Sequence, residues 1–178
     1  MLAGCSSPDN PEPQPVACAP GQVTFKTAST SALLTGVTPV LEATTKGMTI
    51  DEPYVEINTR TAAVRADSRV PVEEVYRQLA DKYAEKRSLV AFGTVHHPAT
   101  GESTTFDGTG RFVDYEWIRS ISVPFSYACD GTTSQGTVTS WEAVGHSGAV
   151  DCDEPDVKVT GDEAEMIRQV RELRCGGS

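Results

Sequence analysis

The chain has 178 residues and a formal net charge of −10, from 25 acidic and 15 basic side chains. That balance excludes nucleic acid as a partner, because phosphate contacts need clustered Lys and Arg. No stretch approaches the roughly 18 consecutive apolar residues of a membrane-spanning helix, and the length suits one domain with its own core.

The chain begins Met1-Leu2-Ala3-Gly4-Cys5, followed by Ser6 to Pro15, in which Pro8, Pro11, Pro13 and Pro15 interrupt polar residues. Such a run favours extended polyproline II backbone, about 3.1 Å per residue, so roughly a dozen residues hold a domain about 35 Å from their anchor. Leu2-Ala3-Gly4-Cys5 resembles the lipobox of bacterial lipoproteins: a Leu, two small residues and a Cys whose thiol is lipidated. The resemblance implies a diacylglyceryl thioether on Cys5 and an amide-linked acyl chain, and two or more chains anchor stably at about 0.8 kcal/mol per buried CH₂. A signal peptide needs a charged start and an apolar stretch of about 7 to 15 residues, whereas only Met1 precedes this box. Residues 1–4 are therefore expected to be a signal-peptide remnant, 5–17 a lipidated tether and 18–178 a single extracytoplasmic domain. Its implied partner is the membrane, through lipid. The acidic domain itself is repelled by anionic headgroups and is expected to face outward.

With Cys5 assigned to lipid, Cys18, Cys129, Cys152 and Cys175 form an even set. Three pairings exist, and two disulfides are expected outside the cytoplasm, with Cys152–Cys175 and Cys18–Cys129 preferred.

Along the chain, Gln22 to Ala28 alternates at the period of a half-buried strand. Ser31 to Thr44 is rich in Thr, Val and Leu but carries Gly36 and Pro39, which predicts an irregular or edge strand. Lys46-Gly47 reads as a turn, and Tyr54 to Arg65 as a longer strand. From Pro71 to Arg87, Val72, Val75, Tyr76, Leu79, Ala80 and Tyr83 make a broad apolar stripe at helical spacing, with Pro71 suited to the first turn. Ser88 to His97 reads as a strand, with a hairpin at Pro98-Ala99-Thr100-Gly101 and another turn at Asp107-Gly108.

The strongest alternation lies in Trp117 to Cys129, where only Arg119 spoils the odd-numbered apolar face and Pro124 implies an edge or a bulge. Asp130 to Gly136 reads as a loop, and Thr137 to Val144 as the antiparallel partner. Thr160-Gly161-Asp162-Glu163 has the spacing of a capping box. The following helix carries Met166, Ile167, Val170 and Leu173 on its apolar face and Gly176 as a stop. Together these predict an α+β fold: a largely antiparallel sheet with the Pro71–Arg87 helix on one face and a stapled C-terminal helix. A closed barrel is the alternative.

Four constellations bear on chemistry. His96 and His97 are adjacent, so on a strand they point to opposite faces and do not readily share one ion. Gly145-His146-Ser147-Gly148-Ala149 resembles in part the Gly-Asp-Ser-Gly-Gly of trypsin-like serine proteases, with His97, Asp114 and Ser147 in the matching order. His146 and Ala149 depart from that pattern and the residues around His97 lack its surroundings, so a glycine-rich turn is expected there. Asp151, Asp153, Glu154 and Asp156 crowd one loop in the manner of a calcium site, with Asp151, Asp153 and Asp156 as the candidate ligands. Pro155 and Asp156 break the EF-hand pattern. Tyr115, Trp117, Phe125, Tyr127 and Trp141 gather in one hairpin, either as core or as a stacking platform, with Trp117, Tyr127 and Trp141 the candidate binding residues.

The expected function is a lipid-anchored cell-envelope protein whose non-catalytic domain binds or masks another envelope protein or a surface polymer, with no cofactor. The rival is a cell-envelope hydrolase using His96 or His97 with Asp107, Asp114 or Glu116. A purely structural surface module is the third reading.

Overall fold

The computed structural model describes residues 21–85, 87–100, 102–154 and 159–176. The strands in chain order are β1 (Gln22–Phe25), β2 (Ser29–Val37), β3 (Leu41–Ala43), β4 (Met48–Glu52), β5 (Val55–Glu56), β6 (Arg60–Thr61) and β7 (Ala63–Ala66). Then follow β8 (Val95–His96), β9 (Glu102–Phe106), β10 (Gly110–Cys129), β11 (Thr132–Trp141) and β12 (His146–Asp151). Helix α1 (Val72–Tyr83) lies between β7 and β8, and α2 (Asp162–Val170) follows β12 and runs into a π-helical turn at Arg171–Gly176. Every described ladder is antiparallel, which gives the expected α+β class. No described helix is long and apolar enough to cross a membrane.

The 20 residues of β10 organise the sheet. Ser120 to Ser122 pair with both β2 and β11, Phe125 to Ala128 with both β1 and β11, and Tyr115 to Trp117 with both β2 and β12. A residue paired twice uses both of its edges, so β1, β2 and β3 line one side of β10 while β11 and β12 line the other. The main path β5-β2-β10-β11-β7 has open ends among the described residues, so the sheet is not a barrel. Pro124 fits because three residues, Lys26 to Ala28, stand opposite Val123 and Pro124 where β1 hands over to β2. Lys26 N–H donates to the Pro124 carbonyl there (2.8 Å), and the missing proline N–H falls in this irregular gap.

Two cores form against β10. In the larger, Val75, Tyr76 and Leu79 of α1 meet Ile121, Val123, Phe125 and Tyr127 of β10 and Val138 and Trp141 of β11. In the second, Met166 and Val170 of α2 meet Leu34, Val37, Val113, Tyr115, Trp117 and Val150. Each fully buried apolar side chain contributes roughly 1.5–3 kcal/mol. The C-terminal helix is thus a core element rather than an appendage. The Cys152–Cys175 disulfide, with a Cα–Cα distance of 5.2 Å, ties its end to β12 as expected and contributes about 2–4 kcal/mol. It is the one disulfide with both cysteines among the described residues, and the preferred Cys18–Cys129 pairing involves Cys18, which lies outside them.

Several expected elements differ. Tyr54 to Arg65 is three short strands, β5, β6 and β7, on three partners (β2, β8 and β11), because its residues leave one ladder for the next rather than following one face. Ser88 to His97 keeps only β8 and a bridge from Leu89 to Glu142. Among the described residues, β8 and β9 do not form the expected hairpin at 98–101: β8 pairs with β6 and β9 with the distant β4. The loop expected from Asp130 to Gly136 is a two-residue turn, with Asp130 at φ 48° and Gly131 at φ 73°, the paired positive angles of a tight hairpin.

Gly145 to Ala149 is not a turn: residues from His146 onward form β12. There Gly148 lets the Tyr115 ring lie on the strand, because a Cβ would stand 2.6 Å from the ring hydroxyl. The capping box is not made, since Gly161 (φ 76°) precedes α2 without a side-chain cap. Leu173 is 52% exposed because the chain widens into the π-helical turn after Val170 and carries it off the apolar stripe. Helix α1 ends at Tyr83, short of Arg87, with Pro71 at its N-cap.

Two buried tyrosines give the fold an alkaline limit. Burial raises the Tyr76 hydroxyl above its ordinary pKa, with the Ser140 hydrogen bond working the other way. Burial followed by the Glu163 charge raises Tyr115. Below about pH 10 both tyrosines are protonated whether the chain is folded or unfolded; above it the unfolded chain releases protons that the folded one keeps, so stability falls as pH rises. Tyr76→Phe is expected to lower stability by about 1 kcal/mol at neutral pH, through loss of the bonds to Val90 O and Ser140 Oγ (2.7 Å each). It should also make the decline above about pH 10 shallower, as measured by urea unfolding across pH.

Candidate functional site

Strand alternation decides which side of β10 carries polar chemistry. Val113, Tyr115 and Trp117 face α2, so Asp114 and Glu116 point to the opposite face. A bulge at Thr35 shifts the β2 register between Glu116 and Trp117, and the Thr35 hydroxyl donates to the Glu116 carbonyl (3.0 Å). Onto this polar face fold the segments around β8 and β9.

Glu116 is the centre of the arrangement. Its Oε1 lies 3.1 Å from His96 Nε2, with both side chains 14% exposed. The approach is close but is not a well-directed hydrogen bond, because among the described residues Nε2 has no hydrogen-bond partner of good geometry. Its Oε2 accepts the Ala99 N–H (2.9 Å). The His96 ring meets Trp141 edge-on at 5.8 Å. His97, pointing the other way, is exposed and places Nδ1 3.0 Å from Glu56 Oε2.

Asp114 is buried. Its backbone N–H donates to Thr38 Oγ1 (2.9 Å) and its Oδ2 accepts from Thr104 Oγ1. Asp114 and Ser147 line one cleft of about 240 Å³ with Tyr54, Thr104, Gly148 and Ala149. His97 is not among its walls, so the sequence order His97, Asp114, Ser147 is not assembled into a relay, which needs the imidazole between the other two. Asp107 is exposed in the bend before β10.

The other candidates have structural employment. Trp117, Tyr127 and Trp141 are 6, 3 and 3% exposed, so they form core and not a stacking platform. Trp117 stacks on His146 at 4.1 Å with the Arg119 guanidinium 5.9 Å from its ring, and the Tyr127 hydroxyl accepts the Gly21 N–H (3.1 Å). Asp151 Oδ1 accepts the Asp153 N–H (2.8 Å), and Asp153 Oδ2 accepts the Arg111 N–H (3.1 Å), so both carboxylates shape their loop. Asp156 and Cys5 lie outside the described residues. Among the described residues no three His, Cys, Asp or Glu side chains converge on a point that would hold a metal ion.

His96 and Glu116 were both legible as candidates, but their pairing was not, because the contact is made across 20 residues by two elements that are not neighbours in a ladder. No protein-family model matches the chain, and no curated protein or solved structure is significantly similar to it.

The Glu116 contacts tie His96 and Ala99 to β10, and their removal is expected to cost stability. Glu116→Ala leaves the Ala99 N–H without its acceptor and His96 without its partner in a mostly buried site. Unfolding in urea should register a loss of about 1–3 kcal/mol.

Proposed function

We propose that the chain is a lipid-anchored cell-envelope protein, acylated on Cys5, whose non-catalytic domain binds or masks another envelope component. The observation that carries this reading is the Cys152–Cys175 disulfide, which suggests an oxidising, extracytoplasmic location. The lipobox resemblance supplies the anchor, and the proline-rich residues after it supply reach. A binding role is supported over a catalytic one by how the reactive side chains are used: His96 is packed against Trp141, His97 faces Glu56 at the surface, and the Asp114 and Ser147 cleft has neither histidine among its walls.

One observation favours the hydrolase reading, the 3.1 Å approach of His96 to Glu116, since a carboxylate that orients an imidazole is the usual support of a general base. That reading requires ester or amide turnover abolished by His96→Ala. The binding reading requires none.

The anchor is tested in cells expressing the natural gene and its Cys5→Ala variant, fed an alkyne fatty acid. The native protein is expected to take up label and partition into detergent, while Cys5→Ala takes up none and stays in the aqueous phase. An unlabelled, Met-initiated chain with free thiols overturns the proposal.

A further inference from the structure

The arginines of this acidic chain are mostly matched to carboxylates. Arg69, Arg77, Arg87, Arg111, Arg119 and Arg168 each have one within 4 Å. Arg60 and Arg65, like Arg171 and Arg174 near the C-terminus, make no salt bridge among the described residues, but Arg171 donates to the Asp151 and Glu154 carbonyls. Arg60 and Arg65 are nevertheless held together, as walls of one cleft of about 280 Å³ completed by Thr59, Thr61, Ala63 and Thr139.

The topology explains why they meet. Ala63 and Arg65 of β7 pair with Thr139 and Thr137 of β11, and alternate with Val64, which pairs with Val138 and packs against the larger core. Ala63, Arg65 and Thr139 therefore face away from that core. Arg60 and Thr61 reach the same place from β6, which is held by its own ladder to β8. Ala62 between β6 and β7 is fully buried and its carbonyl accepts the Gly93 N–H (2.8 Å), which fixes the bend that brings the two arginines to one cleft.

The arrangement costs free energy as it stands. The Arg60 Nε is buried with no hydrogen-bond partner, and a buried donor left unmade is unfavourable. Burial, and then the charge of Arg65, both lower the Arg60 pKa from its ordinary value, so the two guanidinium groups repel, and neither has a carboxylate within 4 Å among the described residues. In a chain with 25 acidic residues, a carboxylate at this place would have been the ordinary solution.

The geometry points to a site for a phosphoryl group, held between the Arg60 and Arg65 guanidinium groups with threonine hydroxyls at its rim. Two guanidinium charges match a phosphate dianion, each fork can present two N–H donors to it, and Thr59, Thr61 and Thr139 can donate to remaining oxygens. A single carboxylate has one negative charge and two oxygens, and leaves the second arginine uncompensated. The net charge of −10 repels the extended negative surface of an anionic bilayer more strongly than one small dianion, so a soluble phosphomonoester is the source this surface favours over a phospholipid headgroup. The site does not depend on whether Cys5 carries lipid.

The test is calorimetric titration of the disulfide-bonded protein with inorganic phosphate and with glycerol 3-phosphate, beside sedimentation with phosphatidylglycerol vesicles. Saturable binding at one site is expected for the soluble probes, weakening about tenfold or more in Arg60→Gln or Arg65→Gln, and unchanged in Arg69→Gln. Both variants should keep the circular dichroism spectrum of the parent and a thermal midpoint no lower than its own, because neither arginine makes an ion pair among the described residues and each substitution relieves the repulsion between them. Binding to vesicles alone, lost in the same variants, keeps the phosphoryl site and assigns it to a headgroup. Absence of saturable binding to any probe, or binding that survives both substitutions, overturns the site.

Discussion

The constraint on which the rest of the molecule depends is the double pairing of β10. Most of its 20 residues have a hydrogen-bonded neighbour on each side, so the strand cannot slide without breaking ladders to β1, β2, β3, β11 and β12 together. A slip of one residue would exchange its faces, sending Asp114 and Glu116 into the apolar side chains under α2 and Tyr115 and Trp117 out of them. Register, core composition and the location of the polar side chains are thus one fact seen three ways.

The two helices read the same strand at different places. Helix α1 covers its second half and α2 its first, and consecutive buried pairs such as Trp117 with Ile118 and Ser120 with Ile121 mark where both faces of the strand are enclosed. The Arg119 guanidinium sits between the two zones, donating to Asp162 Oδ2 at the start of α2 (3.0 Å) with Glu142 nearby (3.8 Å). It interrupts the apolar face in the sequence because the position lies at the seam of the two cores. The partial exposure of this pair keeps its contribution small, so its effect is placement of α2 more than stability.

The polar face illustrates how little residue type decides function. A histidine beside a carboxylate, a serine beside an aspartate and a loop of acidic residues are each the raw material of a catalytic or metal site. Here each is drawn into local structure: Glu116 satisfies Ala99 N–H, Asp114 accepts from Thr104, and Asp153 accepts from Arg111. Arg60 and Arg65, which share one cleft and meet no carboxylate among the described residues, are therefore the more informative groups, since a pair of like charges is costly unless something arrives to neutralise it.

The sequence by itself determined what repeats along the chain: the helical stripe at Val75, Tyr76 and Leu79, the alternation from Trp117 to Cys129, a strand beginning at Gln22 and the apolar face of α2 through Met166 and Val170; it also favoured the pairing of Cys152 with Cys175 among three. Those signals are local, because a periodic apolar face announces the surface that will be buried. Asp130-Gly131 also carries a hairpin-turn signal, which the polar residues following it disguise as a longer loop. Only the tertiary structure decided which strand pairs with which, why Tyr54 to Ala66 breaks into three pieces, and that Gly148 is a bearing surface for Tyr115. It alone could bring His96 to Glu116 and Arg60 to Arg65, since such contacts are set by ladders between segments distant in sequence or by bends between short strands, and no periodicity records them.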